Sequence, residues 1–154
     1  MNLRLIQFGK SKDKWLIEAV SEYQKRLQAF CKLEIVELAD ESLKTNSGIE
    51  QVKQKEAQSC LSKIESNDYL VLLDETGEMK SSLEFSGFLT NISENKRVVF
   101  VIGGVYGTAA ILKERANQVF SLSRLTFTHR MARLILVEQI YRAMMIKNNR
   151  SYHY

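Results

Sequence analysis

Three segments in the last third of this 154-residue chain hold residue types that do chemistry. The first is Gly103-Gly104-Val105-Tyr106-Gly107, which ends an apolar run; glycines there let backbone amides and carbonyls come close to a ligand. It has neither the spacing of a dinucleotide fingerprint nor the Lys-Ser/Thr pair of a phosphate loop, and alone it reads as a tight strand-to-helix turn. The second is Leu122-Ser123-Arg124-Leu125-Thr126-Phe127, followed by Thr128, His129 and Arg130 and then by Arg133, Glu138 and Arg142. Hydroxyls and an imidazole crowd a loop, and arginines line the helix after it. Arg133 and Arg142 cannot both be core residues without partners, because an unpaired buried guanidinium is prohibitive, while Glu138 can pair with Arg142 at i, i+4. The plain reading is a surface helix with ordinary ion pairs. The third segment is the tail, Asn149-Arg150-Ser151-Tyr152-His153-Tyr154, whose residue types can meet a phosphate, stack on a base and accept a proton. Alone, a tail of this composition reads as disordered.

The elements that must position these segments follow from periodicity. Leu3, Leu5 and Phe8 open the chain as a strand, and Leu16, Val20, Tyr23, Leu27 and Phe30 mark one face of a helix. Residues 33–38 alternate as a half-buried strand; 40–48 is a polar surface loop; Ile49, Val52, Leu61 and Ile64 mark a second helix. Residues 69–74 are continuously apolar with an acidic end, as in a strand buried on both faces, and Glu75-Thr76-Gly77 reads as a turn. Ser81 and Glu84 fit a capping box that opens a helix with Leu83, Phe88 and Ile92 inward. Residues 97–102 are a second buried strand, 108–118 a helix, 119–122 a short strand and 131–145 the core of a last helix. Strand and helix alternate about five times without proline or linker, which predicts one three-layer α/β domain over 1–154 with a mainly parallel sheet. Ligands in such sheets bind beyond the carboxyl ends of strands.

Composition narrows the function classes. A chain of this length with 45% hydrophobic residues builds a core without metal or disulfides, and its apolar stretches are too short to cross a bilayer. The first ten residues do not have the pattern of a signal peptide, so a cytosolic protein is expected. Cys31 and Cys60 sit in apolar, helical patterns away from metal-ligand spacing, as buried thiols do. Residues 121–154 carry six Lys or Arg against one Asp or Glu, a concentration that attracts a polyanion.

In order and spacing these segments resemble the RlmH family of SPOUT-class methyltransferases, which methylate N3 of a pseudouridine in helix 69 of 23S ribosomal RNA. The matching residues are Leu72-Leu73-Asp74 with Gly77, Phe100-Val101-Ile102-Gly103-Gly104 with Gly107, Ser121 through Phe127 with His129, Arg133, Tyr141-Arg142-Ala143, and Tyr152-His153. Leu3, Leu5, Gly9-Lys10, Tyr23, Lys25-Arg26-Leu27, Lys53 and Lys55-Glu56 extend the resemblance over nearly the whole chain. It implies a SPOUT-type domain whose residues 69–154 form a deep trefoil knot, an exception to the usual absence of knots. It implies that Leu73, Gly103, Leu122, Ser123, Arg124, Leu125, Thr126 and Phe127 surround S-adenosylmethionine, with no metal. Thr128 stands where the family usually has Pro, and Tyr154 where it usually ends in Lys or Arg.

The same resemblance implies a division of labour. N3 of pseudouridine carries a weakly acidic imide proton; His153 is the expected base, Tyr152 orients or stacks, and Arg133 or Arg142 stabilises the anion. His129 is expected to cap or pack. Arg130, Lys147 and Arg150 are the expected RNA contacts, on the large subunit or the assembled ribosome, with each site of a homodimer completed across the interface. Two other readings stay open: a ribosome- or RNA-binding module without catalysis, and a flavodoxin-like nucleotide binder that uses residues 103–108.

Overall fold

The computed structural model describes residues 1–44 and 48–154. Five parallel strands, β1 (Asn2–Phe8), β2 (Lys32–Leu38), β3 (Tyr69–Met79), β4 (Val98–Ile102) and β5 (Gln118–Ser121), form one sheet in the order β2-β1-β4-β3-β5. Helices α1 (Lys14–Leu27), α3 (Ser82–Asn91) and α5 (His129–Lys147) cover one face, and α2 (Ile49–Leu61) and α4 (Ala110–Arg115) the other. The period-two alternation of strands sets the two layers. On β4, Val98, Phe100 and Ile102 enter the core beneath α1, α3 and α5, whereas Val99 and Val101 face α2 and α4. All five β4 side chains are buried, as a central parallel strand requires. Phe85 of α3 stacks on Phe120 of β5 at 5.2 Å between ring centroids, which anchors the α3 layer to the sheet edge.

The expected α/β architecture is the observed one, with differences that have physical causes. Glu75-Thr76-Gly77 is not a turn but part of β3, which continues to Met79 with a register shift against β5 between Leu73 and Glu78. A Cβ on Gly77 would lie 2.7 Å from the Phe120 amide nitrogen, so only glycine lets the bulged strand return to its neighbour. The Ser81–Glu84 capping box is present, but Phe85 and Leu89 point inward and Leu83 is exposed. Ile49, at the start of α2, is also exposed. The 108–118 helix shortens to α4, because Gly104 and Gly107 close an antiparallel bridge before it and Gln118 already belongs to β5. In the expected 40–48 loop, Glu41–Leu43 form a 3-10 turn capped by Asp40, and residues 45–47 lie outside the described residues.

Candidate active site

β4 and β5 end close to the level at which β3 begins its bulge: Leu73 is in register with Ile102, the last residue of β4, on one side and with Phe120 of β5 on the other. Beyond these carboxyl ends lies a cleft of about 450 Å³, a size usual for a small-molecule site. Its walls are the β3 bulge at 73–76, the glycine loop after β4 and the 122–127 loop before α5. Leu73, Gly103, Leu122, Ser123, Leu125, Thr126 and Phe127 all line it. Arg124 does not; its guanidinium turns back and donates to the Glu75 carbonyl. The Thr126 hydroxyl donates to Glu75 Oε2 at 3.0 Å, so the β3 bulge and the 122–127 loop hold each other. A Cβ on Gly103 would lie 2.8 Å from Thr108 Cγ2, which makes this a tight point of the cradle.

The cleft is acidic on one side. Asp74 accepts from the Thr76 amide at 2.9 Å and hydroxyl at 2.6 Å, and lies 3.5 Å from Lys113 Nζ. Burial opposes its charge, but these donors outweigh burial and hold the carboxyl below the usual carboxylate range. His129 also lines the cleft, rather than only capping α5; burial first, then Arg130, lowers its imidazole and keeps it neutral near pH 7. Thr128 is the N-cap, accepting from the Met131 amide at 3.3 Å. Under the glycine loop, Glu56 of α2 is buried, and a Cβ on Gly104 would run into its Oε1. Burial pushes the Glu56 carboxyl up to about 7, with Asp40 and Glu41 adding to the effect against a hydrogen bond from the Glu41 amide. Thr108 Oγ1 and Glu56 Oε1 are buried with no hydrogen-bond partner among the described residues.

The tail is a second, separate cluster. It does not trail off: the Arg150 amide donates to Met145 at 2.9 Å, Asn149 takes a left-handed φ of 52°, and Tyr152 folds back edge-on to Tyr141 at 4.8 Å. The Tyr152 hydroxyl meets Glu138 at 3.1 Å and Tyr23 at 3.3 Å. Burial, with Tyr23 and Glu138 adding to it, raises that phenol above its usual range, so it stays protonated. Arg142 donates to Glu138 at 2.6 and 3.1 Å, lies 4.7 Å from the Tyr152 ring centroid, and has Nη1 3.3 Å from His153 Nδ1. Because guanidinium only donates, Nδ1 accepts.

The structure therefore groups Tyr152, His153 and Arg142, and leaves Arg133 elsewhere, buried on α5 with Nε unpartnered among the described residues and its pKa lowered by burial. Arg130 is held by Asp13 at 3.1 Å, while Lys147 and Arg150 are exposed at the far end of α5. Cys31 and Cys60 are buried, their thiols pushed up to about 11 and about 12 by burial, which makes them inert. Asp74, Glu75 and Thr76 were not expected as cleft walls, because in the sequence Asp74 reads as the acidic end of a strand and Glu75-Thr76-Gly77 as a turn. Glu56 had a signal: it lies four residues from each of Val52 and Cys60, on the buried face of α2.

Comparison with known proteins gives a family and a fold. Residues 1–153 match the family model described as "Predicted SPOUT methyltransferase". The chain is 42% identical to Ribosomal RNA large subunit methyltransferase H of Clostridium acetobutylicum and 41% to the protein of that name from Streptococcus uberis, each covering 99% of both chains. Among solved structures, a probable methylase family protein from Haemophilus influenzae matches with a TM-score of 0.55 at 12% identity, covering 99% of this chain and 70% of that one. A putative methyltransferase from Legionella pneumophila, solved with bound S-adenosylmethionine, matches at 0.53 and 11% identity, covering 93% and 66%. These two show the shared fold. The chain belongs to the SPOUT methyltransferase family.

Proposed function

We propose that this protein transfers a methyl group from S-adenosylmethionine to N3 of a pseudouridine in the 23S ribosomal RNA of the large subunit, in the cytoplasm, as a homodimer. The observation that carries the reading is the cleft built by Leu73, Gly103 and the 122–127 loop at the carboxyl ends of three parallel strands, in a chain whose relatives are named as ribosomal RNA methyltransferases. The residues suit this cofactor: glycine backbone for close approach, apolar Leu73, Leu122 and Phe127, the free Thr108 hydroxyl, and the Asp74 carboxylate for a cation. Bound S-adenosylmethionine supplies an electrophilic methyl on a sulfonium sulfur. A knotted path over 69–154 belongs to the same reading.

The chain's own work is to position the acceptor and take its proton. His153 Nδ1 exchanges the Arg142 donor for the imide proton, Arg142 steadies the N3 anion, and Tyr152, fixed by Glu138 and Tyr23, orients the pair. From His129 at the cleft to Arg142 is 13 residues of α5, about 20 Å at 1.5 Å per residue. That span favours a dimer in which the tail of one copy reaches the cleft of the other. Half-buried Met131, Leu134, Ile135 and Tyr141 on α5 supply an apolar face for it. Calorimetry tests the cleft: S-adenosylmethionine should bind with one site per chain and FMN should not. Heat from FMN alone, or RNA binding with no heat from S-adenosylmethionine, would contradict the proposal.

A further inference from the structure

Trp15, the chain's single tryptophan, is 59% exposed on the first turn of α1. It rims a second cleft, of about 470 Å³, between the starts of α1 and α5. Gly104, Val105, Phe127 and His129 line both this cleft and the proposed cofactor cleft, so the two adjoin. Lys10, Lys12 and Lys14 are exposed and lie within five residues of Trp15 in the sequence. Asp13 is engaged by Arg130, and Lys14 reaches Glu18 at 3.9 Å; among the described residues Lys10 and Lys12 have no ion-pair partner. An exposed indole on a segment rich in cations without ion-pair partners among the described residues, at the mouth of the proposed methyl-transfer site, is a surface of defined chemistry.

We propose that Trp15 with Lys10 and Lys12 is a docking platform for single-stranded RNA, on which a base flanking the methyl-accepting nucleotide stacks. The inference rests on the methyl-transfer reading above and deepens it. N3 lies on the Watson–Crick edge, so its nucleotide must be unpaired or flipped to react, and its neighbours are then free to stack on an aromatic ring. Lysines beside the ring track the phosphates. The homodimer proposed above also draws on α5, whose Met131 lines this cleft, so a second copy is the competing occupant that the test must separate from RNA.

The test uses the native emission of Trp15 and the full-length protein. A short uridine-rich oligoribonucleotide should quench that emission, less so at high salt. Trp15→Ala should raise KM for ribosomes about tenfold, as loss of one stacked base does, with S-adenosylmethionine affinity unchanged, and Trp15→Phe should recover part of it. Emission unaltered while a labelled oligoribonucleotide binds, or a parental KM in Trp15→Ala, would overturn the platform. So would emission that depends on protein concentration and not on RNA, which would assign this face to a second copy. If instead the parent protein methylates nothing with ribosomes and S-adenosylmethionine, the underlying reading fails, a result distinct from an active parent matched by an equally active Trp15→Ala.

Discussion

Buried beneath the glycine loop, the Glu56 carboxyl lies against Gly104, which lines the proposed cofactor cleft, and is neutral at low pH and charged at high pH. Its folded pKa of about 7 lies above the ordinary carboxyl value of 4.5, so between those values the folded chain holds a proton that the unfolded chain has lost. Stability from this group is therefore complete below pH 4.5 and is lost as pH rises through 7, by roughly 3 kcal/mol. Glu56→Gln should remove that slope: melting temperatures followed from pH 5 to 8 should fall in the parent and fall less in the variant, and parallel curves would refute the assignment. Gly103→Val tests the cradle itself. A Cβ 2.8 Å from Thr108 Cγ2, with the two valine methyls beyond it, displaces the Thr108 side chain or the loop and fills the cradle, so titration should show S-adenosylmethionine affinity lowered at least tenfold while the fold persists. Gly103 stood out in the sequence by its place after an apolar run, whereas the charge state of Glu56 depends first on burial and then on Asp40 and Glu41, which only the folded chain brings about.

Among the elements, β3 has the most unusual course. Its bulge places Asp74, Glu75 and Thr76 in the cleft wall and then rejoins β5 through Gly77. Gly77→Ala should cost about 1–3 kcal/mol, lowering the melting temperature by several degrees, because the clash is with Phe120 backbone and cannot be relieved by a rotamer. An unchanged melting temperature would show that the bulge gives way freely. The strand itself was legible from its apolar run and the α3 cap from Ser81 and Glu84, but a turn and a bulge share the same residues, and register against β5 decides between them. The tail was illegible for a related reason: its order comes from Tyr23, Glu138 and Tyr141, on helices 11 to 129 positions away in sequence. Removing Tyr152, His153 and Tyr154 should leave S-adenosylmethionine affinity intact and abolish methyl transfer; retained activity in the truncated chain would sever the tail from the reaction.

For the whole molecule, the parallel α/β architecture followed from alternating patterns of period 2 and 3.6, but the separation of the proposed cofactor cleft from the His153 cluster follows from the length of α5 in three dimensions. If the tail of one copy serves the cleft of the other, then Gly103→Val and His153→Ala, each inactive alone, should recover a fraction of parental activity when mixed and reassembled. No recovery would place the whole reaction within one chain. The most direct measurement of the central claim is methyl transfer from labelled S-adenosylmethionine to ribosomes that do or do not carry pseudouridine in their 23S RNA, followed by mass analysis of the nucleosides. The proposed chemistry predicts one 3-methylpseudouridine per ribosome and label in that RNA only when pseudouridine is present. Label in another nucleoside, or none in either ribosome, would contradict it.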